Sequence, residues 1–219
     1  MSIQVHPDDE HAQKIGYKRG KNEAWFFIES DPGASIVYGQ KTKNKEELQE
    51  MINQDKWDDI YKKYPVADGD FVYLPAGCLH AMGKGNVVYE IQQSTDVTYR
   101  FYDYHRKDKD GNERELHLKQ AIDCLSFDKD IDKNDVHPVV KVHENMKETI
   151  FISNDSFTVS QLLVIGKCQY KCDNYQLATV VKGSGKVDEY DVKVGDNFLI
   201  PTNTSIELDG QMMIMMTTK

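Results

Sequence analysis

The stretch GDFVYLP at residues 69–75 decides the fold, because the same frame returns as GDNFLIP at residues 195–201. In each copy a Gly-Asp turn leads into a short apolar run that ends at a proline. Runs of this kind, bounded by turn residues, are typical of buried β-strands. The repeat therefore predicts two related β-rich units in one chain.

The two copies differ in the residue that stands five positions beyond the proline. In the first copy this residue is His80, and in the second it is Ile206. The sequence has no histidine after His143. We therefore expect the second unit to lack the polar cluster of the first and to serve a structural or pocket-covering role.

Residues of types that bind metal ions stand before and after the first copy in the sequence. Gln4 and His6 are two residues apart in an apparent strand, so their side chains share one face. Glu23 lies two residues after Lys21, just before the apolar run WFFI at residues 25–28. Together with His80 after the strand at residues 71–74, these residues predict a Gln/His/Glu/His metal site.

Composition sets the broad class of protein. The chain has 219 residues, 39% of them apolar, with 27 basic and 36 acidic residues and a net charge of −9. This balance argues against nucleic acid as a partner and leaves a small anionic substrate open. No apolar run approaches the ~20 residues of a membrane helix, no secretory leader is evident, and four irregularly spaced cysteines do not suggest disulfides. We expect a cytoplasmic protein without a membrane partner.

Periodicity along the chain predicts the local elements. A short helix should follow Pro7 and end near Gly16, and the DPG turn at residues 31–33 should close a hairpin. Helical spacing predicts two short helices at 43–63, as an insertion on a barrel, and one more helix at 118–125. The strands at 71–104 are expected to form a meander.

These elements predict a domain organisation. Residues 1–127 should form a metal-binding domain with its helical insertion at about 43–63. Residues 128–148 are polar and poorly periodic, which indicates a linker. Residues 149–219 carry strand patterns and should form a smaller β domain without metal ligands.

Four ordered motifs resemble those of type I mannose-6-phosphate isomerases, and the likeness covers nearly all of the chain. The motifs are Gln-Val-His-Pro-Asp at 4–8, Lys-Asn-Glu at 21–23, Pro-Ala-Gly with Leu-His-Ala at 75–81, and Tyr-Arg-Phe-Tyr-Asp-Tyr at 99–104 after Glu-Ile-Gln-Gln at 90–93. The resemblance implies a mainly β fold of two cupin-like β-barrels of jelly-roll type, with a small helical insertion in the first. Family members usually carry a sizeable segment before the first motif, so we expect this chain to be N-terminally short.

The resemblance also implies a function and roles for individual residues. One Zn²⁺ per chain would be held by Gln4, His6, Glu23 and His80, and the enzyme would interconvert mannose 6-phosphate and fructose 6-phosphate through an enediol-type intermediate. Zinc accepts imidazole nitrogen and carboxylate oxygen and keeps a position open for catalysis. The candidate catalytic residues are Arg100, which would bind the charged phosphosugar, and Lys21 or Glu90 as the base.

Other functions remain open at this stage. Two histidines and a carboxylate also suit a non-haem iron cupin oxygenase, although a glutamine ligand argues against it. A non-catalytic sugar-binding or truncated remnant protein is the other alternative. A barrel edge left exposed would favour self-association into a homo-oligomer.

Overall fold

The structure is a computed structural model that describes residues 1–127 and 136–219. The chain forms two compact units, Met1–Asp135 and Val136–Lys219, and each unit has its own sheets and core. Strands dominate both units, so the prediction of a mainly β protein is confirmed. Within the described ranges, no helix combines the length and the apolar character needed to cross a membrane.

The first unit contains eight strands and four helices among its described residues. The strands are β1 (Ile3–Val5), β2 (Glu23–Ser30), β3 (Ser35–Gln40), β4 (Tyr61–Pro65), β5 (Phe71–Leu74), β6 (His80–Met82), β7 (Asn86–Gln92) and β8 (Tyr99–Tyr102). The helices are α1 (Asp9–Lys14), α2 (Lys45–Asn53), α3 (Trp57–Ile60) and α4 (Leu118–Cys124). The strands form a five-stranded sheet in the order β4-β3-β6-β1-β8 and a three-stranded sheet in the order β5-β2-β7.

The two sheets face each other over an apolar core, which is the double-sheet arrangement of a jelly roll. Trp25 and Phe27 from the three-stranded sheet pack with Ile36 and Tyr38 from the five-stranded sheet, and all four side chains are buried. Because successive strand residues point to opposite faces, Val37 lies on the other side of the sheet. There it joins the core beneath the helices.

The helices cover the outer face of the five-stranded sheet. Leu48 of α2, Trp57 and Ile60 of α3 and Ala121 of α4 are buried in this second core. α2 begins where the Asn44 side chain accepts a hydrogen bond from the Glu47 backbone N–H at 2.9 Å, which satisfies a donor that the helix itself leaves free. The predicted helical insertion is therefore present as α2 and α3, but it ends at Ile60, since residues 61–65 form β4.

Two predictions of strand pairing are wrong. The DPG turn at residues 31–33 is present, yet β2 and β3 do not form a hairpin, because they belong to different sheets. The strands from 71 to 102 do not form a meander either. β5 and β7 both pair with β2, and β8 pairs with β1.

The second unit is built from strands throughout its described residues. They are β9 (Val139–His143), β10 (Met146–Ser153), β11 (Thr158–Ile165), β12 (Cys168–Cys172), β13 (Gln176–Val187), β14 (Tyr190–Lys193), β15 (Asn197–Ile200) and β16 (Thr204–Thr218). The sheet runs β14-β13-β16-β11-β10-β9, with β12 paired to β16 and β15 paired to β13. Its core includes Ile206, the residue that takes the place of His80 in the repeat.

The predicted linker needs correction. Residues 128–135 lie outside the described residues, but residues 139–143 form β9, which pairs with β10 from Met146 onward. All five residues of β9 are exposed, because the strand lies at the edge of its sheet. With no buried face, the strand shows no alternation of polar and apolar residues, and this is why its sequence resembles a linker.

Candidate metal centre

The inner face of the five-stranded sheet carries a row of polar side chains. Gln4 of β1 has His80 of β6 as its Cα partner on one side and Arg100 of β8 on the other. The apolar residues of β1 pack against the helix-covered core, so Gln4 points to the opposite face, between the sheets. His6 follows Gln4 by two residues and shares that face. Four sequence-predicted site residues therefore lie on one surface.

The opposing sheet adds a carboxylate to this surface. Glu23, the first residue of β2, is fully buried, and His6 and His80 are each 1% exposed. Glu23 Oε1 lies 3.3 Å from His6 Nε2, and Glu23 Oε2 lies 3.3 Å from His80 Nε2. The ligating atoms of the three residues are all within 4.8 Å of one another. They surround a single point.

Backbone contacts set the tautomer of both imidazoles. His6 Nδ1 lies 3.1 Å from the carbonyl oxygen of Val97, and His80 Nδ1 lies 2.9 Å from that of Cys78. A carbonyl oxygen only accepts, so Nδ1 must carry the proton in each ring. Burial lowers the pKa of His6, which favours its neutral form. Each Nε2 is therefore the ring nitrogen left to face Glu23, and that of His6 turns a lone pair toward it, which is the arrangement of metal-ligating histidines.

This arrangement calls for a cation. Among the described residues, neither His6 Nε2 nor either carboxylate oxygen of Glu23 has a well-aligned hydrogen bond. Lys21 offsets the charge of Glu23 from one side, but the lone pair of His6 and the buried carboxylate that face one another remain costly unless a positive ion lies among them. The donor set thus fits a metal ion.

Gln4 adds an amide to the same point. Its side-chain amide lies 3.3 Å from His80 Nε2. The nitrogen and oxygen of an amide exchange places on a half-turn without a change of shape. The Gln4 oxygen can therefore face the centre as a fourth ligand, as the sequence predicts.

Lys21 and Glu90 both lie beside the carboxylate of Glu23. Lys21 is buried, and its Nζ is 3.0 Å from Glu23 Oε1, so the two form an ion pair. Glu90 is the cross-strand partner of Trp25 and shares its face of the three-stranded sheet. Partial desolvation and then the charge of Glu23 raise the pKa of Glu90. The structure thus brings both predicted base candidates to the centre, and the role of each stays a prediction.

Arg100 is held by Glu115 and His117, which lie outside the sequence motif that contains Arg100. Its Nη1 donates to the carbonyl oxygen of Glu115 at 2.6 Å, and its backbone N–H donates to His117 Nδ1 at 3.1 Å. The His117 backbone N–H donates in turn to the Arg100 carbonyl at 2.8 Å. His117 thereby orients β8 at Arg100.

Asp103 follows Arg100 by three residues but serves other partners. Arg114 donates to both carboxylate oxygens, at 2.7 Å from Nε and 2.5 Å from Nη2, and Arg106 Nη2 also donates to Asp103. Hydrogen bonds from Arg114 and Arg106 outweigh the effect of burial and lower the pKa of Asp103 to about 2. Asp103 therefore stabilises the loop after β8.

A double-sheet β domain with two histidines, a glutamate and an adjacent glutamine between its sheets defines a cupin-type metal centre. The family model for the cupin domain of mannose-6-phosphate isomerase matches residues 147–219, in the second unit.

Curated relatives match most of the chain. Mannose-6-phosphate isomerase of Streptococcus mutans is 38% identical over 98% of this chain and 69% of its own length. Mannose-6-phosphate isomerase ManA of Bacillus subtilis is 37% identical over 92% of this chain and 65% of its own length. The crystal structure of mannose 6-phosphate isomerase from Bacillus subtilis has a TM-score of 0.93 at 31% identity, covering 100% of this chain and 71% of that chain.

The chain belongs to the mannose-6-phosphate isomerase family, and it spans about two thirds of the length of these relatives. Membership confirms the family that the sequence motifs predict.

Proposed function

We propose that the protein is a metal-dependent sugar-phosphate isomerase that interconverts mannose 6-phosphate and fructose 6-phosphate. The observation that carries the proposal is the buried set of His6, Glu23 and His80, whose ligating atoms converge in a member of this family. We propose Zn²⁺ as the ion, one per chain, because two imidazoles, a carboxylate and an amide suit it. The cytoplasmic location, the role in carbohydrate metabolism and self-association stay predictions.

Aldose–ketose isomerisation moves a proton between neighbouring carbons. A base removes the proton from C2 and returns it to C1, while the hydroxyl proton passes from O2 to O1, through an enediol-type intermediate. A bound metal ion supplies a Lewis acid that stabilises negative charge developing on the two oxygens. The task of the protein is to hold the sugar against this point and to carry the proton.

Arg100 is proposed to bind the substrate. It is the β8 partner of Gln4, so it lies beside the centre on the same face. Its Nε is buried and, within the part of the chain that the structure describes, has no hydrogen-bond partner. A guanidinium presents several donors in a fixed plane, which suits the phosphate or a sugar oxyanion.

Lys21 and Glu90 are the two candidates for the base. Lys21 is buried and its Nζ is held at 3.0 Å by Glu23, whereas Glu90 is exposed and can meet a ligand directly. Glu90→Gln and Lys21→Met separate them. The variant that removes the base should keep its metal but lose both turnover and the exchange of the C2 hydrogen with deuterated water.

The proposed function is tested by the conversion of mannose 6-phosphate to fructose 6-phosphate, measured before chelation, after chelation and after Zn²⁺ is restored. We expect chelation to remove the activity and zinc to restore it. Glu23→Gln, which keeps the shape but loses the charge, should bind metal poorly and remain inactive. Stoichiometric metal binding without turnover would contradict the isomerase and indicate a sugar-binding role, and full activity in verified metal-free protein would contradict the metal site.

A further inference from the structure

The three metal-ligating side chains come from two different sheets. His6 and His80 belong to the β1 and β6 region of the five-stranded sheet, and Glu23 begins β2 in the three-stranded sheet. Hydrogen-bond ladders fix distances within a sheet, but no ladder joins these two sheets. A metal centre tolerates errors of only about 0.2 Å in ligand distance. Contacts outside the ladders must therefore set the position of Glu23 relative to the histidines.

Asn22 and Gln93 extend the β2–β7 pairing by one residue, and from there each of them leads to a contact with the histidines. Gln93 Oε1 accepts two hydrogen bonds from Asn22, one from the backbone N–H and one from Nδ2, each at 2.9 Å. The Gln93 backbone N–H donates to the Asn22 carbonyl oxygen at 3.0 Å. Three bonds thus join the residue before Glu23 to the residue that follows β7.

Asn22 also reaches across to the turn that precedes His80. Its Oδ1 accepts from the Ala76 backbone N–H at 2.8 Å. The next residue, Gly77, donates its N–H to the His6 carbonyl oxygen at 2.9 Å, and the same turn supplies the carbonyl that orients His80. The Asn22 side chain is therefore one bond away from the turn that holds both histidines.

The segment that follows Gln93 in the chain completes the connection to His6. Thr95 donates its backbone N–H to the Gln93 carbonyl oxygen at 2.8 Å, and two residues later the Val97 carbonyl accepts the Nδ1 proton of His6. Gln93 is thus bonded to the segment before Glu23 and begins the segment that orients His6. Hydrogen bonds of this kind, made by residues that do not bind the metal themselves but position those that do, tune the metal affinity of a site.

We propose that Asn22 and Gln93 are positioning residues that fix Glu23 against His6 and His80 and thereby set the metal affinity. This inference rests on the proposed metal-dependent function. Neither side chain needs to touch the ion or the sugar, and Gln93 acts through its single acceptor oxygen. An acceptor of the same reach should therefore replace it.

The test compares Gln93→Met, which keeps the length but removes the acceptor, with Gln93→Glu, which keeps an oxygen for both Asn22 donors. We expect Gln93→Met to lower the affinity for Zn²⁺ by about 10- to 100-fold in competition with a chelator, and to alter the visible spectrum of the Co²⁺-loaded protein. Gln93→Glu should restore both properties. In metal-free protein, the Ala76 amide should exchange with solvent faster in Gln93→Met than in wild type.

Asn44→Ala is the matched control, since it removes the cap of α2 on the helix-covered side of the sheet. It should lower the unfolding temperature without changing the metal affinity or the Co²⁺ spectrum. The proposal is overturned if Gln93→Met binds metal like wild type, if Asn44→Ala weakens binding equally, or if amide exchange at Ala76 is unchanged. A wild-type protein that binds no metal would refute the proposed function and the effect on metal affinity, whereas amide exchange at Ala76 would still show whether Asn22 and Gln93 hold the turn, because that measurement needs no metal.

Discussion

Gly20→Ala should disable the metal centre by forcing two loops apart. Gly20 is buried against the start of α1, and a Cβ placed on it would lie 2.4 Å from the Asp8 carbonyl carbon and 2.5 Å from the Pro7 carbonyl oxygen. These are backbone atoms, which no rotation of a side chain can move away. The same approach is held by hydrogen bonds from the Gly20 N–H to Asp9 Oδ1 at 2.7 Å and from the Lys21 N–H to the Pro7 carbonyl at 3.0 Å.

The size of the effect follows from the distances. Ordinary contact begins near 3.4 Å, so the two segments must separate by about 1 Å. Pro7 is bonded to His6 and Gly20 lies three residues before Glu23, so part of this separation passes to the ligands. Overpacking of this kind costs about 1–3 kcal/mol of stability, and a displacement of about 1 Å at a reacting centre costs about 100-fold in activity. We expect metal affinity to fall by at least about 10-fold.

Calorimetric titration with Zn²⁺ and thermal unfolding of the metal-free protein measure the two effects separately. Gly33→Ala is the control: its φ of +81° makes a side chain strained, by about 1–2 kcal/mol, but nothing lies within 4 Å of the added Cβ. Gly33→Ala should lose stability and keep its metal affinity. Normal metal affinity in a folded Gly20→Ala protein would refute the argument that this close approach positions the ligands.

His80→Ala should abolish metal binding and turnover together, whereas Arg100→Ala should keep the metal and lose about 10²- to 10³-fold in turnover; metal analysis beside the isomerase assay separates them, and retained metal in His80→Ala would contradict the site. Asp103 should make stability depend on pH in acid. Its folded pKa of about 2 lies below the unfolded value of about 3.9, so its contribution is complete above the unfolded value and is lost as pH falls through the folded one. Because Arg106 and Arg114 are half-exposed, we expect about 1–2 kcal/mol, measured as the difference in denaturant unfolding between wild type and Asp103→Asn at pH 5 and at pH 2. An equal pH dependence in both proteins would contradict the role of this carboxylate.

Local patterns in the sequence predict the elements well where one face is buried. The helix after Pro7 appears as α1, and the helical spacing at 118–125 appears as α4. Both signals come from side-chain periodicity and chain-end preferences, which act over a few residues. β9 escapes prediction because both of its faces are exposed.

The candidate site likewise combines local features, which the sequence shows, with contacts between distant residues, which it does not show. The two-residue spacing of Gln4 and His6 is a local property of an extended strand, and so it is visible in the sequence. The contacts that prepare the ligands are not local: His6 depends on the Val97 carbonyl, and Glu23 depends on Gln93 through its neighbour Asn22. Gln93 belongs to the motif at 90–93, but the sequence does not indicate its contact with Asn22.

By itself, the sequence determined the two β-rich units, the family and the residue types of the metal centre, since each rests on a repeat, a motif or a short spacing. Only the tertiary structure decided which strands share a sheet. β2 and β3 are joined by a tight turn, yet they enter opposite sheets, because the side chains of Trp25 and Tyr38 are buried by facing each other across the core. That separation brings Glu23 over His6 and His80. Pairing of this kind depends on contacts between distant residues, which no window of the sequence contains.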